Sequence, residues 1–358
     1  MQKKFKVAIA GYGVVGKRRR LFIDQHPALE TVAVCDRVFP EEGTFPDGVR
    51  YYQNYQRLFG EDFDVLFVCM TNDMAPAVTM AGLEKGVHVF CEKPPGRDLS
   101  DIVRVIECER RHPRLKLRYG FNHRYHDSVR QAMRIIASGE LGSVINLRGV
   151  YGKSAIISFQ SDWRTKRAYA GGGILLDQGV HMVDMMRLFA GEFVEVHSYV
   201  MNSFWQHDVE DNAYALMRTA DGVVAMLHSS ATQWRHRFHL EIALTKGTII
   251  LAGILSGSKS YGAETITVAH ANDNDSGDPM EVTTRYNQDN SWRDEIDEFA
   301  ETILHDRPVV SGSSLEALKS MQLVYKIYCA DPEWRKRYQL DDSVPDHILN
   351  PPLVASRD

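Results

Sequence analysis

Phe5-Lys6-Val7-Ala8-Ile9-Ala10-Gly11-Tyr12-Gly13-Val14-Val15-Gly16 is the stretch on which the reading of this chain turns. Its first six residues suit a buried strand, and an amphipathic run follows. Gly11 permits a tight turn, Gly13 lets backbone approach a ligand with no side chain between, and Gly16 lets a helix pack closely on the strand. The helix that opens here directs its unpaired N–H groups and positive dipole end at the turn, which favours an anionic group such as a pyrophosphate. The pattern predicts a dinucleotide site, with Gly11, Tyr12, Gly13, Val14, Val15 and Gly16 as contacts.

A second strand, Thr31-Val32-Ala33-Val34-Cys35-Asp36, ends on a carboxylate 20 residues after Gly16. That spacing suits recognition of the adenosine ribose, whose two hydroxyls can donate to Asp36. A carboxylate there repels a 2′-phosphate, so the reading favours NAD. NADP stays open, because Arg37 and the run Lys17-Arg18-Arg19-Arg20 can pair with such a phosphate. The same run also reads as a solvated helix face.

Working outward, strand-like and helix-like stretches alternate to about residue 121. Val65 to Met70, Val87 to Cys91 and Leu115 to Phe121 are apolar runs, separated by helical patterns near 74–84 and 98–111. Alternation of this kind predicts an α/β Rossmann domain, a doubly wound parallel sheet with crossover helices, over residues 1–124. A helix with Val129, Met133 and Ile136 on one face follows, and then strands dominate: Val144 to Val150, Val194 to Met201, Ala213 to Arg218, Val223 to Ser229, Phe238 to Leu244 and Thr248 to Leu251. Turn pairs such as Asp221-Gly222 and Lys246-Gly247 predict an antiparallel sheet in an α+β domain over 125–330. Asn272 to Pro279 reads as a surface loop. Helical patterns at 291–305 (Ile296, Phe299, Ile303) and 313–329 (Leu315, Leu318, Leu323, Ile327) read as bracing both domains, with 331–358 as a C-terminal tail.

With 358 residues the chain is long enough for two domains. A net charge of −5 argues against an electrostatic grip on nucleic acid or an anionic membrane. No apolar run is long enough to span a bilayer. The first strand begins too soon after Met1 for a signal peptide, so the expectation is a cytoplasmic protein. Five cysteines, at 35, 69, 91, 108 and 329, include no CxxC pair and read as small core residues, with no disulfide or zinc site.

Two clusters carry chemistry. Cys91-Glu92-Lys93-Pro94-Pro95 follows the fourth long strand and puts charge at the carboxyl end of a parallel sheet, where ligands bind; Lys93 would face the nicotinamide. Gly171-Gly172-Gly173-Ile174-Leu175-Leu176-Asp177-Gln178-Gly179-Val180-His181 joins a flexible stretch to two polar groups. If it is α-helical, Asp177 and His181 share one face at i, i+4, about 6 Å apart at Cβ. Alcohol oxidation removes hydride from carbon and a proton from oxygen, and a base that titrates near neutrality serves the second step. His181 is the expected general base, Asp177 its orienting partner or a hydroxyl acceptor, and Lys93 the cation beside the developing alkoxide. His207-Asp208 and Glu210-Asp211 raise the question of a metal, and none is expected.

Taken together, Gly11 to Gly16, Glu92-Lys93-Pro94, Asn122-His123-Arg124, Trp163-Arg164, Gly171 to His181, Val209-Glu210-Asp211-Asn212 and Thr245-Lys246-Gly247-Thr248 make the chain similar to the glucose-fructose oxidoreductase and inositol dehydrogenase (Gfo/Idh/MocA) family, over most of residues 5–330. The resemblance implies a Rossmann domain followed by an open, mostly antiparallel sheet whose face carries substrate and subunit contacts. It implies Lys93, Asp177 and His181 at the catalytic positions. It further implies Thr71, Asn72 and Glu92 beside the cofactor, and Asn122, Tyr151, Lys153, Trp163 and Arg164 around the substrate. Where members of the family often carry Thr-Pro-Asn-x-x-His, this chain has Thr71-Asn72-Asp73-Met74-Ala75-Pro76, without the histidine. The substrate class implied is a sugar, polyol or nucleotide sugar, with Trp234-Arg235-His236-Arg237 read either as a diphosphate clamp or as a strand edge with solvated charges. A homodimer or homotetramer is expected. The alternatives are a silent sugar or dinucleotide sensor and a redox-neutral enzyme that retains its cofactor.

Overall fold

The computed structural model describes residues 4–155, 163–256, 261–271 and 278–350. The chain divides into two compact units, one of residues 1–120, 295–322 and 342–358 and the other of residues 121–294 and 323–341. Most of Asn272 to Pro279, read as a loop, lies outside the described residues.

The first unit holds seven strands: β1 (Phe5–Ala10), β2 (Leu29–Cys35), β3 (Gly43–Thr44), β4 (Arg50–Tyr52), β5 (Val65–Val68), β6 (His88–Glu92) and β7 (Leu117–Gly120). Their order is β3-β4-β2-β1-β5-β6-β7. Every pairing is parallel except β3 with β4. The helices of this half are α1 (Val14–Ile23), α2 (Tyr55–Leu58), α3 (Ala75–Lys85) and α4 (Leu99–Arg110). Central strands covered on both faces must be apolar throughout, and β5, Val-Leu-Phe-Val, is buried at all four positions. Val7, Ile9, Val34, Phe67 and Phe90 form one core with Ile296, Phe299 and Ile303. The chain leaves β1 for β2 on one side and reaches β5 on the other, so the crevice of this sheet opens at the carboxyl ends of β1 and β5.

The second unit begins with a 3₁₀ turn, Asn122–Tyr125, and α5 (Asp127–Ser138). It continues through β8 (Val144–Ser154), α6 (Arg167–Ala170), α7 (Val180–Ala190) and β9 (Phe193–Met201). The strands β10 (Asn212–Thr219), β11 (Val224–Gln233), β12 (Arg237–Leu244), β13 (Gly247–Ala252), β14 (Glu264–His270) and β15 (Glu281–Tyr286) complete an eight-stranded sheet of order β15-β14-β13-β12-β8-β11-β10-β9. All neighbours are antiparallel except β8 with β11. Along β10 alternate residues Ala213, Ala215 and Met217 are buried while Tyr214 and Leu216 are exposed, the signature of a sheet with one solvated face. On the covered face, a Cβ at Gly149 would lie 2.4 Å from Met186 and 2.8 Å from Met182, so the glycine is what lets α7 lie against β8.

Later helices are α8 (Ser291–Leu304), α9 (Ser314–Ala330), α10 (Pro332–Tyr338) and α11 (Asp346–Leu349). Two expectations need correction. Of Val129, Met133 and Ile136 only Val129 is buried; the buried residues of α5 are Ser128, Val129 and Ala132, and Met133 is 39% exposed. The segment after 330 is more than a tail: Asp331 caps α10 through Glu333 and Trp334, and Trp334 and Ile348 are buried. All five cysteines are free thiols. Among the described residues no helix is long and apolar enough to cross a membrane.

Candidate active site

In the first unit the three glycines of the opening motif do three different things. Gly11 has φ +93°, and a Cβ on it would lie 2.2 Å from the Cys69 carbonyl oxygen. A Cβ on Gly16 would lie 2.0 Å from the Gly11 oxygen, so α1 can press on the turn only without one. At Gly13 a Cβ would meet nothing within 4 Å. Gly13 is the N-cap of α1 and no side chain caps that end, which leaves first-turn N–H groups for an anionic ligand. Asp36 is fixed at the end of β2 by accepting from Tyr12 N (2.8 Å) and Val38 N (3.1 Å). A carboxylate has roughly four acceptor sites, so capacity for two ribose hydroxyls remains. These residues fit a dinucleotide.

The basic run on α1 is neither a solvated face nor a phosphate clamp throughout. Arg19 stands three residues past Gly16 and points into the sheet. It is fully buried, donates to Glu92 Oε1 (2.6 Å) and Glu295 Oε2 (2.7 Å), and lies 4.4 Å from the Phe90 ring centre. Arg20 is held by the Tyr12 hydroxyl (3.0 Å), Asp24 and Asp47. Arg37 is exposed. The Glu92 carboxylate thus carries a buried cation immediately before Lys93, and the Lys93–Pro94 peptide is cis. Thr71 and Asn72 follow β5; the Thr71 carbonyl accepts from Met74 N and Ala75 N at 2.9 Å, and Asn72 is buried.

In the second unit the glycine stretch is anchored by Glu210. Its carboxylate accepts from Gly173 N (2.7 Å), Leu175 N (3.0 Å) and Tyr328 Oη (2.6 Å), and a Cβ on Gly173 would strike the Glu210 carbonyl at 2.0 Å. Asp211 is likewise committed, accepting from Phe204 N (2.7 Å) and Trp205 N (3.0 Å). These acids therefore build the loop, and among the described residues no group of three potential ligands gathers for a metal.

From that anchor the chain forms a π-helical turn, Leu175–Gly179, before α7 begins. The expected α-helical i, i+4 face for Asp177 and His181 is corrected accordingly, since the wider turn changes the angle between them. Asp177 faces Arg164 (3.8 Å), and the Arg164 guanidinium sits 4.4 Å over Trp163. His181, 5% exposed in the first turn of α7, lies face to face with His123, ring centres 3.7 Å apart and planes 12° from parallel. His123 Nε2 is 3.0 Å from the Tyr151 hydroxyl, and its Nδ1 is 3.3 Å from Asn122 Oδ1. Tyr151 packs on Tyr261 (5.4 Å), whose hydroxyl accepts from Gln178 and whose ring stacks on His236 at 4.6 Å. His236 Nδ1 accepts from Ser154 N. Burial, and then the Lys153 charge, push the His236 pKa down. Burial holds the Tyr151 phenol well above its ordinary range and pushes Tyr261 up to about 12, so both remain neutral hydrogen-bonding groups.

Asn122, Tyr151, Lys153, Trp163, Arg164, Asp177 and His181 therefore all belong to the second unit, and Lys93 to the first. Sequence reasoning leaves three members of the cluster unassigned: His123 and Gln178, present only inside quoted motifs, and Tyr261, which carries no local signal; His236 falls in the stretch read either as a diphosphate clamp or as a strand edge. In that stretch Trp234, Arg235 and Arg237 are exposed and His236 is buried. Strand β12 turns Phe238 toward Tyr151 (5.3 Å), which sends Arg237 to the opposite face, where its charge lowers the pKa of His228 and His239 after burial; Trp234 is 74% exposed.

The chain matches known proteins across both halves. Residues 5–121 match the model of the oxidoreductase family with an NAD-binding Rossmann fold, and residues 129–250 match the GFO/IDH/MocA C-terminal domain. A 1,5-anhydro-D-fructose reductase of Ensifer adhaerens is 30% identical over 59% of this chain and 63% of its own length. An inositol 2-dehydrogenase of Salmonella typhimurium is 25% identical over 72% of this chain and 77% of its own. In fold, the chain is similar to levoglucosan dehydrogenase in complex with NADH, at TM-score 0.78 and 20% identity over 93% of this chain and 98% of that one. It is also similar to myo-inositol 2-dehydrogenase from Lactobacillus plantarum, at TM-score 0.72 and 21% identity over 90% and 95%. The chain belongs to the GFO/IDH/MocA oxidoreductase family, with an NAD-binding Rossmann fold in its first half.

Proposed function

We propose that the chain transfers hydride between NAD and a secondary alcohol or ketone of a sugar or polyol. The observation that carries this reading is the buried His181, set in a cluster of neutral hydrogen-bonding groups and aromatic faces. NAD, when bound, supplies the hydride acceptor. In the oxidative direction His181 takes the hydroxyl proton as general base, Lys93 holds the developing alkoxide charge with its ammonium, and Asp177 with Arg164 orients a neighbouring hydroxyl. Aromatic faces from Tyr151, Tyr261, His236 and Trp163 suit the apolar C–H side of a ring, while Gln178, Asn122 and Lys153 supply partners for its hydroxyls. The relatives named for inositol, levoglucosan and anhydrofructose favour the same class. An unadorned sugar or polyol is preferred to a nucleotide sugar, because Arg237 lies on the face of β12 turned away from Tyr151.

The solvated face of the eight-stranded sheet presents Tyr214 opposite Tyr199 and Leu216 opposite Met226 in register, and Tyr199 is 76% exposed. An apolar face of this kind favours pairing of two copies, as a homodimer or homotetramer. The test of function is a panel of sugars and polyols with NAD and with NADP, read as absorbance of the reduced nicotinamide. Oxidation of at least one member with NAD supports the reading, and no reduction with any member overturns it.

A further inference from the structure

The site contains a second imidazole that the roles above leave unused. His123 and His181 come from different elements, the 3₁₀ turn after β7 and the first turn of α7, yet their rings are stacked at 3.7 Å. Stacked rings do not share a proton through a hydrogen bond, so His123 is not a relay to His181. Its effect depends on its own charge.

That charge follows from a one-way chain of hydrogen bonds. Asp289 Oδ1 only accepts, so the Ser291 hydroxyl donates to it (2.6 Å) and can only accept from Asn122. Asn122 Nδ2 donates to Ser291 Oγ (3.0 Å), which turns Asn122 Oδ1 toward His123. Oδ1 only accepts, so His123 Nδ1 carries the hydrogen. His123 Nε2 is then left with its lone pair for the Tyr151 O–H at 3.0 Å. A proton on Nε2 would require the Tyr151 hydroxyl to turn and accept instead of donating. In its neutral form His123 is thereby held as the Nδ1–H tautomer, and its electron-rich face lies against His181.

The other titratable and charged groups around the two rings are Arg124, paired with Asp184 of α7 (2.6 and 2.7 Å), and His126, paired with Glu264 of β14 (2.7 Å). Among the described residues Asp177 of the π turn also faces Arg164, and Tyr151 of β8, Tyr261, His236 and the Lys153 charge beside it belong to the same cluster. A neutral ring face attracts a cation through its quadrupole.

We propose that His123 is a positioning residue for the proton-transfer step, fixing the ring plane of His181 and stabilising its imidazolium form through face-to-face stacking. The inference rests on the reading of His181 as the proton carrier. During oxidation His181 becomes cationic as it takes the hydroxyl proton, and the stack stabilises that product of the step. In reduction the same stack keeps the proton available for the alkoxide oxygen.

The test needs no substrate. Ring-labelled histidine NMR of the full chain identifies the His181 resonance by its loss in His181→Asn and follows its titration in wild type, His123→Ala, His123→Gln and His123→Phe. Losing the ring in His123→Ala or His123→Gln should lower the His181 midpoint by about half to one pH unit, the scale of a cation–ring contact. His123→Phe keeps the ring face without the hydrogen bonds and should hold the midpoint near wild type. Two ring-removing variants guard against one of them failing to fold. An unchanged or raised midpoint in both overturns the proposal, and so does an equal fall in His123→Phe. Failure of the proposed function shows separately, as a His181→Asn variant that still turns over a sugar or polyol the wild type oxidises.

Discussion

Gly13→Ala and Gly16→Ala add the same methyl group three residues apart and should have opposite consequences. At Gly16 the new Cβ would lie 2.0 Å from the Gly11 oxygen and 3.0 Å from its carbon. Carbon and oxygen in ordinary contact need more than about 3 Å, so α1 would have to retreat from the turn by about 1 Å. Overpacking of this sort costs about 1–3 kcal/mol, and here it also displaces the helix end that faces the cofactor. At Gly13 the methyl meets nothing within 4 Å, and φ −75° suits alanine. Folding should therefore tolerate it at a cost of about 0.5–1 kcal/mol, the difference between glycine and alanine at an N-cap. Its larger cost should appear when a pyrophosphate needs the space: NADH affinity is expected to fall about tenfold to a hundredfold, or about 1.4–2.7 kcal/mol. Thermal melts and NADH fluorescence titrations of the two variants separate the effects. If Gly13→Ala binds NADH like wild type, or if Gly16→Ala melts like wild type, this account of the turn is wrong.

Asp36→Ala should weaken NAD at least about tenfold, through lost charged hydrogen bonds to the ribose, and weaken NADP less; equal losses in parallel titrations would mean that Asp36 does not read the ribose. Glu295 supplies a pH test. Burial pushes its carboxyl from 4.5 up to about 7, against the pull of Arg19 and Arg118. Between those values the folded chain keeps a proton that the unfolded chain has released, so this group's contribution to stability falls as pH rises through the window. Glu295→Gln should gain on wild type as pH goes from below 4.5 to above 7, by at most about 3 kcal/mol, and a pH-independent gap in denaturant melts would refute it.

Much of the cofactor half was legible because its determinants are local. Gly11, Gly13, Gly16 and Asp36 lie within one strand–turn–helix unit and at the end of the next strand, so spacing alone is enough to propose them. Arg19 was not legible: its partners Glu92 and Glu295 lie 73 and 276 residues away, and nothing in Lys17-Arg18-Arg19-Arg20 distinguishes the buried guanidinium from its neighbours. Strands β3 and β4 have two and three residues, too few to show alternation. In the second half, hairpin turns revealed antiparallel pairs such as β10 with β11, whereas the parallel pairing of β8 with β11 joins strands far apart in the chain. The pleat was legible in principle, since strict alternation through Phe238 already separates Arg237 from the side facing Tyr151. His123 and Tyr261 needed the folded chain, because a stacked ring pair has no sequence period.

The proposal that Lys93 and His181 act on one carbinol is most directly tested by steady-state oxidation of an active sugar or polyol with NAD, comparing wild type, Lys93→Ala, His181→Ala and the double variant. The account predicts that His181→Ala lowers turnover by roughly 10²–10⁴-fold with NADH affinity nearly unchanged, and that the double variant loses much less than the product of the two single losses. Turnover retained in His181→Ala, or losses that simply multiply, would contradict it.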